Sequence, residues 1–127
     1  MLHLVCEFSV LNACNPRPYT LFRIAIEEGE AWLMGDRNAV KAAYSTAKDQ
    51  VLDRYGQDSI CGTWETLADA IYPGGAAKLK NEGWPRKGQM KCEWAEKIAP
   101  LIDINTNASK SFQVFRDGVR RLANIKV

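Results

Sequence analysis

The stretch WETLADAIYPGGAAKLKNEGW, residues 64–84, decides the fold because a Pro-Gly-Gly break separates two short apolar patterns within it. In the first pattern apolar residues recur at helical spacing, and Thr63 can accept hydrogen bonds from the free amides at its start. This half predicts a helix over 64–72 whose inward residues are Leu67, Ala68 and Ile71.

Pro73, Gly74 and Gly75 predict the end of that helix. Proline disfavours the helical conformation in the residue before it, and glycine accepts positive φ without steric cost. A second short helix is expected to start at Ala76 and to end before Gly83. Residues 84–88 are expected to form a loop.

Length and composition indicate one mainly α-helical domain over residues 1–127. Domains most often contain roughly 100 to 150 residues. Hydrophobic residues make up 46% and charged residues 25%, which is typical of soluble globular proteins and not of disordered ones. We therefore expect a compact helical domain in which residues 63–88 form a corner.

The expected β-structure is confined to the first 34 residues. Apolar and polar residues alternate from Leu2 to Val10, the period of a half-buried strand. Residues 19–34 have a broad apolar helical face, which slightly favours a helix. The same segment also fits a small β-hairpin over 20–34, in which Ala31 to Met34 return as the second strand.

Three further helices are expected from the apolar pattern. The first runs from Arg37 to Tyr55, with Asp36 as its N-cap. The second has an apolar stripe of Met90, Trp94, Ile98 and Leu101. The third follows caps at 105–107, and its expected buried side is Phe112, Phe115, Val119 and Leu122. The expected exposed side of this last helix is Arg116, Arg120 and Arg121.

Charge is distributed unevenly although the net charge is only +2. Residues 1–63 carry 6 Lys and Arg against 8 Asp and Glu, giving −2, and residues 64–127 carry 11 against 7, giving +4. A basic half of this kind is found on proteins that face a polyanion, and equally on an ordinary solvated surface.

The polar residues after the Pro-Gly-Gly break are of types that bind DNA. On the second short helix these are Lys78, Lys80 and Asn81. Lysine neutralises phosphate and can donate to guanine, and asparagine can pair bidentately with adenine. Positive charge that could hold the DNA backbone continues through Arg86, Lys87 and Lys91.

Two segments resemble small phage-type helix-turn-helix regulators: residues 67–71, LADAI, before the turn, and residues 76–85, AAKLKNEGWP, after it. The resemblance covers about a sixth of the chain. Members of that family regulate lysogeny and usually bind operator DNA as oligomers, so the resemblance implies double-stranded DNA as a partner and allows a homo-oligomer. The family's turn glycine falls at Tyr72 here, and its apolar recognition-helix residue falls at Lys78. In this chain the turn therefore has to be built around Gly74 and Gly75.

Other chemistry is poorly supported by the sequence. The cysteines at 6, 14, 61 and 92 form no C-x-x-C pair, and His3 is the single histidine. We therefore expect no enzyme, no metal and no cofactor. Four unpatterned cysteines suggest buried thiols in a reducing cytoplasm, and no stretch reaches the roughly 20 apolar residues that span a membrane. We expect a cytoplasmic protein.

Tryptophan supports an alternative function, a non-enzymatic interaction protein such as a phage-type inhibitor or adaptor that binds a host protein. Trp32 and Trp94 lie on predicted apolar stripes and are expected in the core. Trp64 begins a helix and Trp84 lies in the expected loop. Either can anchor a protein partner or stack on bases.

Overall fold

Apolar residues recur at helical spacing along most of the chain, and the structure, a computed structural model, is all-α in the part that it describes. The described residues are 12–20, 23, 25, 28–58 and 61–124. Within them lie no strand and seven complete α-helices: α1 (Glu30–Met34), α2 (Arg37–Ala43), α3 (Asp49–Arg54), α4 (Thr63–Ile71), α5 (Gly75–Asn81), α6 (Trp84–Ile98) and α7 (Lys110–Ala123). A 3-10 turn, Ala99–Leu101, follows α6.

The core is built around α4, as the spacing of its apolar residues predicts. Leu67 and Ala68 are fully buried, and Ile71 is 8% exposed. The same cluster takes residues from every helix from α1 to α6, among them Met34, Val40, Leu52, Leu79 and Trp94. A buried apolar side chain contributes about 1.5–3 kcal/mol to folding, so this cluster is the main source of stability.

The expectation of one helix from Arg37 to Tyr55 is wrong, because α2 ends at Ala43 and α3 begins at Asp49. Tyr44 has an extended backbone, with φ −134° and ψ 90°. The chain then turns so that the Lys48 amide donates to the Ala70 carbonyl at the end of α4, at 3.0 Å. This bond satisfies a carbonyl that the last turn of α4 leaves free.

The expected loop at 84–88 is also wrong, because α6 begins at Trp84. Gly83 has φ 88°, which separates α5 from α6. Pro85 lies in the first turn of α6, where its missing N–H costs no hydrogen bond. Met90, Trp94 and Ile98 are buried as predicted, whereas Leu101 lies beyond the helix and is 48% exposed.

Two of the predicted caps differ from those in the structure, and one is confirmed. The Asp36 carboxylate accepts a hydrogen bond from the Ala39 amide at 3.0 Å, as expected. Thr63 is the first residue of α4, which is preceded by Gly62 with φ 81°. Ser109, and not a residue of 105–107, caps α7.

Helix α1 overturns the hairpin alternative, since Ala31 to Met34 are helical. A continuous helix over 19–34 is also wrong, because Tyr19, Arg23, Ala25 and Glu28 are not helical. The predicted strand from Leu2 to Val10 lies outside the described residues.

The predicted buried side of α7 is only partly buried. Phe112 and Leu122 are half-buried, while Phe115 and Val119 are 36% and 45% exposed. Arg116, expected on the exposed side, is half-buried, whereas Arg120 and Arg121 are exposed as predicted. The Arg116 guanidinium donates to the Ile104 carbonyl at 2.9 Å, which holds it against the loop before α7.

Asp58 anchors the start of α7 on the rest of the domain. Its carboxylate accepts hydrogen bonds from the Ser109 hydroxyl, at 2.9 and 3.0 Å, and from the Ser111 amide, at 2.8 Å. The Trp32 indole donates to the Ser111 hydroxyl at 2.8 Å. These bonds bring α1, the loop before α4 and the first turn of α7 together.

Changing Gly35 to Ala is expected to lower the free energy of unfolding by about 1–3 kcal/mol, because a Cβ at this position would overlap Oδ1 of Asn107. Asn107 is fully buried, donates to the Trp32 carbonyl at 2.9 Å and accepts from the Ser109 amide at 3.0 Å. It therefore cannot move aside without breaking both bonds. Urea unfolding measures the loss.

The matched control is Gly29→Ala, since a Cβ at Gly29 would meet no atom within 4 Å. Its effect should stay within about 0.5 kcal/mol. Equal urea midpoints for the two variants would contradict the packing described for Asn107.

Candidate nucleic-acid interface

Two left-handed glycines and one carboxylate shape the corner between α4 and α5, which we call the α4–α5 corner (residues 63–81). Gly74 and Gly75 have φ values of 90° and 67°. The Asp69 carboxylate on α4 accepts a hydrogen bond from the Ala76 amide at 2.7 Å. Asp69 therefore satisfies a free amide in the first turn of α5. Sequence reasoning missed Asp69. The signal that could have found it is an aspartate close to a glycine turn.

Helix α5 has one face against the core and one toward solvent. Ala76 and Leu79 are buried, at 6% and 0% exposure. Lys78, Lys80 and Asn81 are all exposed. The helix therefore presents the three polar side chains that the sequence analysis selected, and its apolar residues attach it to the domain.

Carboxylates lie close to both lysines of α5. Lys78 lies 3.9 Å from Glu82, and Lys80 lies 3.2 Å from Glu65. Both lysine side chains are 56% exposed. Exposed ion pairs contribute only about 0–1 kcal/mol, because water and salt screen them and the long side chains lose entropy. These pairs lower the local positive charge without fixing the lysines.

Arg86 lies beside the end of α5 and shares Glu82 with Lys78. The distance from Arg86 Nε to the Glu82 carboxylate is 3.7 Å, and the Tyr72 hydroxyl donates to the same carboxylate at 2.6 Å. Hydrogen bonding to Tyr72 is the main cause that raises the pKa of Arg86 above its ordinary value. Arg86, on α6, is therefore positioned by the residues that directly follow α4 and α5.

Lys91 differs from the other selected cations because it is held by the acidic residues before and within α1. Its ammonium lies 3.3 Å from Glu28 and 3.4 Å from Glu30, and its side chain is only 26% exposed. The Trp64 ring centroid lies 5.7 Å away. Lys91 therefore joins α6 to the segment around α1 and is poorly placed to reach a ligand in solvent.

Lys87 lies between the rings of Trp84 and Trp64. Its ammonium is 4.3 Å from the Trp84 ring centroid and 4.8 Å from that of Trp64. Trp64 is 6% exposed, whereas Trp84 is 71% exposed.

The predicted core position of Trp94 is confirmed, and Trp32 is half-buried against Phe115. Among the four tryptophans, Trp84 presents its ring most openly to solvent.

Metal-ligating and nucleophilic groups are not gathered in the described part of the chain. No group of three or more His, Cys, Asp or Glu is placed there to hold a metal ion. The cysteines at 14, 61 and 92 are exposed, which contradicts the expectation of buried ones. Among the described helices, none is long and apolar enough to cross a bilayer.

Comparison with known proteins found no match. No protein family model, no curated protein and no solved structure is significantly similar to this chain. The function is therefore inferred from the geometry of the α4–α5 corner and its neighbours alone.

Proposed function

We propose that this protein is a DNA-binding transcriptional regulator of phage or prophage type that reads duplex DNA with α5. The observation that carries the proposal is the orientation of α5: Leu79 is fully buried while Lys78, Lys80 and Asn81 face solvent. In a helix-turn-helix, the first helix braces a second one whose polar side enters the major groove.

The residues divide into two groups by their position. Lys78, Lys80 and Asn81 would face bases and the nearest phosphates. Arg86 and Lys87, in the first turn of α6, would hold the DNA backbone. Lys91 is left out of this set because Glu28 and Glu30 already flank its ammonium.

The ion pairs on this surface are compatible with DNA binding because they are weak. An exposed pair contributes about 0–1 kcal/mol, so a lysine can exchange its carboxylate for a phosphate at little cost. The carboxylates of Glu65 and Glu82 remain nearby and would repel phosphate. We therefore expect modest affinity that depends on low salt.

The salt dependence of duplex binding tests the proposal. Four phosphate contacts, from Lys78, Lys80, Arg86 and Lys87, predict a slope of about −3.6 for the logarithm of the association constant against the logarithm of salt concentration. Fluorescence anisotropy with a labelled duplex of mixed sequence, measured from low to physiological salt, gives this slope. No saturable binding at the lowest salt, or a slope near zero, would contradict the proposal.

Trp84 favours a second candidate function, a non-enzymatic interaction protein that binds a host protein. It is 71% exposed, and aromatic residues are enriched among the side chains that dominate protein interfaces. A pull-down that yields a stoichiometric protein partner, lost on Trp84→Ala and kept on Tyr19→Ala, would favour this candidate. Tyr19 is a fair control because it is 67% exposed.

A further inference from the structure

Trp84 has the most exposed large hydrophobic side chain in the part of the chain that the structure describes. It is the first residue of α6 and follows the last residue of α5, Asn81, by three positions. The indole ring therefore lies beside the surface that is proposed to bind DNA, and a strand held by α5 would pass close to it.

Lys87 covers one face of the Trp84 ring. Its ammonium lies 4.3 Å from the centroid of that ring and 4.8 Å from the centroid of the nearly buried Trp64 ring. An ammonium over an aromatic face is attracted by the π electrons of the ring. Lys87 therefore links the exposed ring to a tryptophan that is fixed in the core, and the rest of the Trp84 ring stays open to solvent.

The surface of α6 next to the Trp84 ring is also open. Gly88 lies one helical turn after Trp84, on the same side of α6. Side chains on a helix point back toward its N-terminus, so a side chain at position 88 would lean toward the tryptophan. A Cβ at Gly88 would meet no atom within 4 Å. A flat group can therefore approach the ring from this side without a steric obstacle.

Lys87 also offers a positive charge that no described carboxylate neutralises. Lys78, Lys80 and Arg86 each lie within 4 Å of a glutamate, whereas Lys87 forms no ion pair with a described residue. It can therefore accept a phosphate without first giving up a carboxylate. The ring and the ammonium together match the two parts of a nucleotide, a flat base and a charged phosphate.

An unpaired base fits this surface better than a paired one. Inside a duplex both faces of a base are covered by its neighbours, so an enzyme or binding protein that needs the face of a base uses one that is unstacked or single-stranded. Aromatic side chains stack on unpaired bases of any sequence, because every base has a π face.

We infer that Trp84 stacks on an unpaired base next to the duplex held by α5, with Lys87 on the phosphate of that nucleotide, so that the protein prefers DNA with an opened or single-stranded segment beside its site. This inference rests on the proposed function, because the duplex on α5 brings the strand to Trp84.

Duplexes with the same paired sequence and different ends test the inference. The first is blunt, the second has a forked end with unpaired thymidines on both strands, and the third has the same fork built from abasic nucleotides. The abasic fork keeps the phosphates and lacks only the bases. Fluorescence anisotropy with the full chain at low salt is expected to show about tenfold tighter binding of the thymidine fork than of the abasic fork, the usual effect of stacking one base on an aromatic side chain.

Trp84→Ala is expected to abolish the difference between the two forks, and Trp84→Phe is expected to keep most of it. Because Trp84 is largely exposed, neither change should unfold the domain. Tyr19→Ala is the matched control, since Tyr19 is also largely exposed and belongs neither to the α4–α5 corner nor to α6. This variant should show the same preference as the wild type.

Equal affinities for the two forks, with the blunt duplex still bound, would overturn the inference and leave the proposed function intact. A preference that persists in Trp84→Ala would also overturn it, and would leave Trp84 to the candidate function of binding a host protein. If none of the duplexes binds saturably, the proposed function fails together with the inference.

Discussion

Reversing two charges on α5, with Lys78→Glu and Lys80→Glu together, is expected to lower the affinity for duplex DNA by about 50-fold or more at roughly 0.1 M salt. Counterion release makes each lost phosphate contact cost about eightfold under these conditions, so two contacts cost about 60-fold. The new carboxylates add repulsion from the phosphates. Fluorescence anisotropy against the same duplex measures the change.

The matched control reverses Lys41 and Lys110 instead. Both side chains are exposed, and neither belongs to the α4–α5 corner or to α6. Each double variant changes the net charge by −4, from +2 to −2. A loss confined to the α5 variant assigns the effect to the position of the charges, whereas equal losses would show that only the net charge matters.

Changing Trp94 to Ala is expected to lower the free energy of unfolding by about 3–5 kcal/mol, the largest stability effect that we predict. Trp94 has no exposed surface and is the largest fully buried side chain among the described residues. Its removal leaves a cavity between α6 and the helices packed on it. Urea unfolding followed by circular dichroism gives the difference.

Leu101→Ala serves as the control for Trp94. Leu101 follows the same apolar stripe in the sequence but is 48% exposed, so its truncation should cost less than about 1 kcal/mol. A loss of that small size at Trp94 would mean that α6 does not pack on the core through this residue.

Sequence reasoning predicted the α4–α5 corner well because the relevant signals are local. Leu67 and Ile71 mark the buried face of α4 at helical spacing, and the glycines after Pro73 accept the positive φ that the turn requires. These features need no knowledge of distant residues.

The break between α2 and α3 could not be predicted in this way because its partner is distant in sequence. The apolar pattern continues across Tyr44, but the Lys48 amide bonds to Ala70 on α4. A tertiary hydrogen bond of this kind overrides helical periodicity.

The charge surroundings of the candidate site were missed for the same reason. Lys91 was selected as a surface cation, yet its carboxylates, Glu28 and Glu30, lie more than 60 residues earlier in the chain. Glu82 lies four residues after Lys78 and four residues before Arg86, so these two pairs were readable from spacing.

If α5 is the element that contacts DNA, ¹H–¹⁵N chemical shift mapping with a short duplex at low salt will detect the contact. We expect the largest shifts on residues 75–81 and on the first turn of α6, while the amides of α7 stay unchanged. Shifts centred on α7, or equal small shifts across all helices, would contradict this expectation.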